Sequence, residues 1–188
     1  EKLYSDGLII KTTIDTNLQQ IADNVLIEGL MKYDKRQGWR GALDNIDYSI
    51  NSADFNENTI INPFPKKWIV VQVISIEDKI ISTIDKKNEK YKINLKINEN
   101  SWLKDKKFNK GDLFFIEKKS EDKLIIRQLP KANGAIVILN PHNGDILALS
   151  GGINFKLSEF NRATQAKRQP GSAFKPFVYI TALKEGYN

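Results

Sequence analysis

The chain has 188 residues, 40% of them hydrophobic and 28% charged, which suits one ordinary domain or two small ones and is too polar for a membrane-embedded protein. It has no cysteine, which excludes disulfides, thiolate metal sites and a cysteine nucleophile. The net charge of +6 is concentrated between Asn62 and Leu129, with 16 Lys/Arg against 10 Asp/Glu, whereas the remainder holds 13 of each. Lysines interspersed with acids describe a solvated strand face more readily than a polyanion site.

No apolar run reaches the ~18–20 residues of a spanning helix, and the start, EKLYSDGLIIK, lacks both the basic and the apolar region of a signal peptide. Any export signal or anchor is therefore expected outside this chain. GLIIKTTI reads as a strand, followed by a helix from about Asp15 to Tyr33. Leu18, Ile21, Ala22, Val25, Leu26 and Leu30 recur at the spacing of one buried helical stripe. Thr16 with Gln19 fits a capping box, and Asp15 is an equally good N-cap. The polar stretch from KRQGWRGALDN to about Asn62 has no clear period and marks a boundary.

From Lys67 the period changes to short β-type runs: WIVVQVISI, KIISTID, KYKINLKI, DLFFIEK and KLIIRQL. KYKINLKIN alternates, with Tyr91, Ile93, Leu95 and Ile97 on one face and lysines and asparagines on the other. Five short strands in this space predict a small oligonucleotide/oligosaccharide-binding (OB) type barrel, the simplest closed architecture that removes sheet edges. After Pro130, GAIVILN and DILALS predict a hairpin turned by Pro141 and Gly144. The last segment predicts a helix beginning near Ser172, apolar over so wide an arc (Phe174, Phe177, Val178, Ile180, Leu183) that it belongs inside a larger domain.

Ser172-Ala-Phe-Lys175 is a Ser-x-x-Lys pair. On a helix the two side chains share a face, so a lysine amine can activate the serine hydroxyl as nucleophile, and the first-turn amides can support a developing oxyanion. The spacing also occurs at Ser101–Lys104 and Ser120–Lys123, as a lysine-rich chain produces by chance. Only Ser172 follows Pro170-Gly171 and opens an apolar helix. His142 falls in a turn, Trp39, Trp68 and Trp102 read as packing residues, and no His, Asp and Glu cluster has metal-ligand spacing.

GLIIKTTIDTNLQQIAD, KRQGWRG, GAIVILNPHNGDILALSGG and EFNRATQAKRQPGSAFKPFVYITAL resemble consecutive landmarks of the class A, bifunctional penicillin-binding proteins of the 1A type. The resemblance implies a mixed α+β chain in three parts: residues 1–43 as a strand-helix segment associated with the transpeptidase domain, 44–129 as an OB-like barrel insert, and 130–188 as the N-terminal part of the transpeptidase domain. It implies Ser172 as the nucleophile of a D-Ala-D-Ala transpeptidase and Lys175 as its general base. It further implies peptidoglycan stem peptides and a lipid-linked precursor as substrates, β-lactams as inhibitors, and an outer-membrane activator as a partner of the insert. It implies no cofactor or metal and no nucleic acid, and a parent anchored in the bacterial inner membrane with its activity on the periplasmic face. The family's Ser-x-Asn and Lys-Thr/Ser-Gly motifs follow the nucleophile. Ser49-Ile-Asn51 and Lys11-Thr12-Thr13 precede it and mimic them by chance, so the chain is expected to be catalytically incomplete. A docking module for protein or glycan is the competing reading. A class A β-lactamase shares Ser-x-x-Lys but lacks the insert and these flanks.

Overall fold

The computed structural model describes residues 9–46, 60, 62, 64, 67–103, 105–120 and 123–187. Helix α1 spans Thr16–Gln37, one turn beyond the predicted end. Asp15, not a Thr16–Gln19 box, caps it: its Oδ1 accepts from the amides of Asn17 and Leu18, both at 2.9 Å. Gly38, with φ of 92°, terminates it. The stripe is only half realised. Ala22 and Leu26 are buried, but Ile21 and Val25 are 54% and 56% exposed. The buried side meets the hairpin of β7 (Ile136–Leu139) and β8 (Ile146–Ser150).

Residues 9–15 are not a strand, contrary to expectation. They touch β8 only near its start, where the Thr13 hydroxyl donates to Ile146 O at 2.6 Å and the Asp15 amide to Leu147 O at 2.9 Å. Ile9 and Ile10 are exposed, and without a packed face the extended segment gains no ladder.

The β-rich middle follows its predicted runs closely. It comprises β1 (Asp44–Asn45), β2 (Trp68–Glu77), β3 (Ile80–Ile84), β4 (Lys90–Asn94), β5 (Asp112–Ser120) and β6 (Lys123–Arg127), with a 3-10 helix at Asn98–Leu103. All pairs are antiparallel, in the order β1-β5-β2-β3-β4, with β6 also on β5. The alternation of KYKINLKI holds: Ile93 and Leu95 are buried while Lys92 and Lys96 face solvent. Strand β5 is buried on both faces. Phe114 and Ile116 join Val71, Val73, Ile81 and Ile93 in the main core, whereas Phe115 packs with Trp68 and Val70 in a second cluster that Met31 of α1 also covers.

The sheet is open, not the closed barrel expected. Strands β4 and β6 form no ladder, and the buried side chain of Asn100 spans them instead. Its Nδ2 donates to Asn94 O (3.1 Å) and Leu124 O (2.9 Å), and its Oδ1 accepts from the Ile126 amide (3.0 Å). β4 ends at Asn94, and the 3-10 helix occupies the position where a continued strand would pair.

Candidate active site

The chain reaches the Ser-x-x-Lys pair from the β7–β8 hairpin, whose end holds the residues just before it. The hairpin turn forms as its residues dictate: Gly144 adopts φ of 79°, Asn140 Oδ1 accepts from the His142 amide, and Asn140 N donates to Asp145 O. His142 is exposed, as expected of a turn histidine. Helix α1 is pinned to β8 by Gln19, whose Oε1 accepts from the Leu149 amide (2.9 Å) and whose Nε2 donates to Leu149 O (3.1 Å). One side chain thus satisfies both backbone groups of an edge-strand residue, the hydrogen-bonding service of a neighbouring strand.

β8 runs into Gly151-Gly152, where the chain folds back on itself. The Arg162 amide donates to Gly151 O at 2.9 Å, and Asn161 lies so close that a Cβ at residue 151 would meet its Oδ1 at 2.1 Å. Only glycine fits there. Asn161 Oδ1 also accepts from the Ala163 amide, and its own amide donates to Gln165 Oε1. The guanidinium of Arg162 lies over Phe160 and donates to Phe160 O and Ser158 Oγ. FNRATQ is thereby clamped onto the end of β8, and RQP leads from it into Gly171.

Gly171–Phe174 form a single 3-10 turn and Lys175–Lys184 form α2, so the predicted helix start at Ser172 is displaced by three residues. Gly171 has φ of 53°, Pro176 occupies the first turn of α2 where its missing amide costs nothing, and the Lys175 amide donates to Ser172 O. Ser172 and Lys175 fall on consecutive turns of one continuous helical segment, and both are exposed. No residue of α2 is buried: Phe177 is 63% exposed, and Val178, Ile180 and Leu183 are comparably open.

The other two Ser-x-x-Lys occurrences sit in different settings. The Ser101 hydroxyl donates to Asn98 O within the 3-10 helix, and Lys104 lies outside the described residues. Ser120 and Lys123 face each other across the β5–β6 hairpin, and Lys123 pairs with Glu99. Ser49–Asn51 lie outside the described residues, and Thr13 of the Lys11–Thr13 mimic is spent on β8. The three tryptophans pack as expected. Trp39 meets Trp102, Phe108 and Phe114 with ring centroids 5.7–6.4 Å apart, and Trp68 meets Phe64 edge-on and Phe115 at a tilt. Among the described residues no group of His, Asp and Glu converges as a metal would require, and no helix is long and apolar enough to cross a membrane.

What the sequence reading missed is the polar junction where the chain enters and leaves the β-rich part. Asp34, 3% exposed at the end of α1, accepts from Arg40 Nη1 (2.7 Å), Gln128 Nε2 (2.7 Å) and the Lys131 amide (3.1 Å). Arg40 also donates to Leu129 O, and its amide to Gln128 Oε1. Burial pushes the Asp34 carboxyl upward, but the Arg40 and Gln128 hydrogen bonds outweigh it and hold the group below its ordinary range. The available signal was an acid inside a helix C-terminus, where acids are disfavoured, followed six residues later by an arginine in KRQGWRG.

Residues 134–188 match the penicillin binding protein transpeptidase domain. The penicillin-binding protein 1A of Rickettsia typhi is 39% identical over 193 residues, covering 99% of this chain and 24% of its own length. That of Vibrio cholerae is 32% identical over 208 residues, with 99% and 25% covered. The crystal structure of penicillin-binding protein 1A from Haemophilus influenzae superposes with a TM-score of 0.76 at 30% identity, over 94% of this chain and 27% of that one. The chain thus spans about a quarter of the length of the curated relatives it matches. Over nearly all of its own length it is a relative of the class A penicillin-binding proteins of the 1A type, with a match to their transpeptidase domain at its C-terminal end.

Proposed function

We propose that this chain belongs to a peptidoglycan synthase and carries the nucleophile-bearing part of its D-Ala-D-Ala transpeptidase. The observation that supports this most directly is the transpeptidase match at 134–188, which contains the Ser172-x-x-Lys175 pair at the start of a helix. In this reading Ser172 Oγ attacks the penultimate D-Ala carbonyl of a stem peptide while Lys175 Nζ takes the hydroxyl proton. The peptide C–N bond breaks, the terminal D-Ala leaves with that proton on its amine, and an ester to Ser172 remains. An acceptor amine from a neighbouring strand then attacks the ester, a new amide forms, and the proton returns to Ser172. A β-lactam replaces the donor and stops at the ester. A lysine takes a proton only after losing its own, which requires desolvation. In this chain Lys175 is exposed, so the environment for catalysis belongs to further elements packed on α2.

The full protein is proposed to add a glycosyltransferase that uses the lipid-linked precursor, and to sit anchored at the periplasmic face of the inner membrane. Residues 44–129 are proposed as an OB-like docking unit for a protein such as an outer-membrane activator, or for glycan. The main core beneath β2–β6 and the packed state of its tryptophans favour this use over nucleic-acid binding, which relies on exposed stacking rings.

Mass spectrometry after incubation with a β-lactam tests the assignment. In the full-length protein one adduct is expected on Ser172, lost in Ser172→Ala and kept in Ser101→Ala and Ser120→Ala. The 188-residue chain alone is expected to acylate slowly or not at all. An adduct on another residue of the full-length protein would overturn the assignment.

A further inference from the structure

Between the exit of the β-rich part and the loop that follows β8 lies an open groove of about 620 Å³, lined among others by Arg40, Lys131, Asn133, Ser158 and Arg162. Its charge is one-sided, because three cations line it and no carboxylate does. Arg40 is neutralised by Asp34 behind it. Arg162 uses two of its five donors on Phe160 O and Ser158 Oγ, both uncharged. Neither Arg162 nor Lys131 has a carboxylate partner among the described residues. Two positive charges therefore remain uncompensated across one concave surface. The rest of the wall is aliphatic and polar, from Leu43 and Leu157 to Asn133, without an aromatic ring.

These features select among anionic ligands. A single-stranded nucleic acid needs a dense row of cations and rings on which bases stack, and the groove has neither. A polymer with widely spaced carboxylates, apolar side chains and amides fits two separated cations set in aliphatic walls with amide and hydroxyl partners. We propose that this groove binds uncrosslinked peptidoglycan strands through the carboxylates of their stem peptides, with Lys131 and Arg162 as the two contact charges. The ligand identity rests on the peptidoglycan-synthase reading above, whereas the anionic character of the ligand rests on the groove alone. Its position is apt for delivery: Arg162 belongs to the clamped FNRATQ segment that leads into Ser172, so a strand held there would be tethered by its stem peptides next to the segment that carries the nucleophile.

The test is binding of fluorescently labelled, uncrosslinked peptidoglycan strands to the 188-residue chain by anisotropy, at low and physiological salt. Lys131→Ala is expected to weaken binding roughly fivefold, and Lys131→Glu with Arg162→Gln more than about tenfold, as the loss of one and then two partly screened contacts implies. Lys90→Glu with Lys92→Glu, on solvent-facing positions of β4, is expected to change it less than about twofold. Strands whose carboxylates have been amidated are expected to lose binding. Because Arg162 also supports its own loop, Lys131→Ala and Arg162→Lys keep the test independent of folding, the latter retaining most of the affinity. The inference is overturned if amidated strands bind equally, if the Lys131 variants bind like the parent chain, or if an oligonucleotide binds more tightly than the strands. Failure here with Ser172 still acylated in the full-length protein would remove the groove alone. Loss of acylation with carboxylate binding intact would instead remove the transpeptidase reading.

Discussion

Asp34 gathers donors from both places where the chain crosses between its helical and β-rich parts, so its removal acts on the junction rather than on one element. Glu117 is its counterpart on β5: burial raises its carboxyl, and Lys119 and Arg127 outweigh that and hold it low. A carboxylate whose folded pKa lies below its unfolded value adds stability above the unfolded pKa, and that part is lost as pH falls through the folded value. The chain is therefore expected to lose stability on acidification below about pH 4, where ordinary carboxylates titrate. Asp34→Asn keeps the shape but strips Arg40 of its counter-charge. It is expected to cost about 2–3 kcal/mol at neutral pH and to flatten the acid limb of a plot of urea midpoint against pH. An unchanged midpoint would mean that the junction is held by packing alone. None of these roles was legible from composition. Asp34 and Arg40 stand out only as charges near a helix end, and Gln128, distant in sequence, carries no local signal.

At the scale of elements, the strands follow their side-chain pattern because burial on one or both faces selects alternation or continuous apolar runs. DLFFIEK was legible as a strand, and its two buried faces explain why Phe114 and Phe115 could both be apolar. Closure was not legible. Whether β4 reaches β6 depends on a 3-10 helix and on the side chain of Asn100, which supplies three hydrogen bonds in place of a ladder. Asn100→Ala would strand the buried amide of Ile126 and the carbonyl of Leu124. It is expected to cost about 2–4 kcal/mol and to raise hydrogen exchange at Ile126 well before that of Phe114. Asn100→Leu, similar in size, is expected to give no rescue. Equal protection at Ile126 in the variant would show that the seam closes without this residue. The N-terminal strand fails for a related reason: GLIIKTTI has strand-forming residues, but among its described residues 9–14 the bond to β8 is made by the Thr13 side chain, and the next backbone bond comes from Asp15, the helix cap.

For the whole molecule, the contrast is between the well-packed β-rich part and an apolar C-terminal helix with no buried residue. A helix of this length is marginal by itself, and burying Phe174, Phe177, Val178, Ile180 and Leu183 would contribute roughly 1 kcal/mol or more for each side chain. Limited trypsin digestion of the 188-residue chain is accordingly expected to cut first at Lys167 and Arg168, within the exposed run before Gly171, and to leave residues near 44–129 as the resistant core. Early cleavage at Lys92 or Lys96, inside and just after β4, would contradict that order. The same exposed face, with Val137, Leu139 and Ile146 on the hairpin, is where the remaining elements of a transpeptidase domain are proposed to pack.

The sequence by itself determined the local choices: α1 and the place of its start, the β runs, the Gly144 turn and the distinctive context of Ser172-x-x-Lys175. These depend on periodicity, turn stereochemistry and short-range spacing, all of which act over a few residues. Only the tertiary structure decided that the sheet stays open at Asn100 and that Asp34 ties entry to exit. It alone decided that Gly151 must lack a side chain beneath Asn161, and that Lys131 and Arg162 face one groove. Each of these joins residues that are not neighbours in sequence, through a polar atom's need for a partner, an unmet charge or, at Gly151, a close approach that leaves no room for a Cβ. Such needs are set by where the backbone brings the groups, not by which residues are their neighbours in sequence.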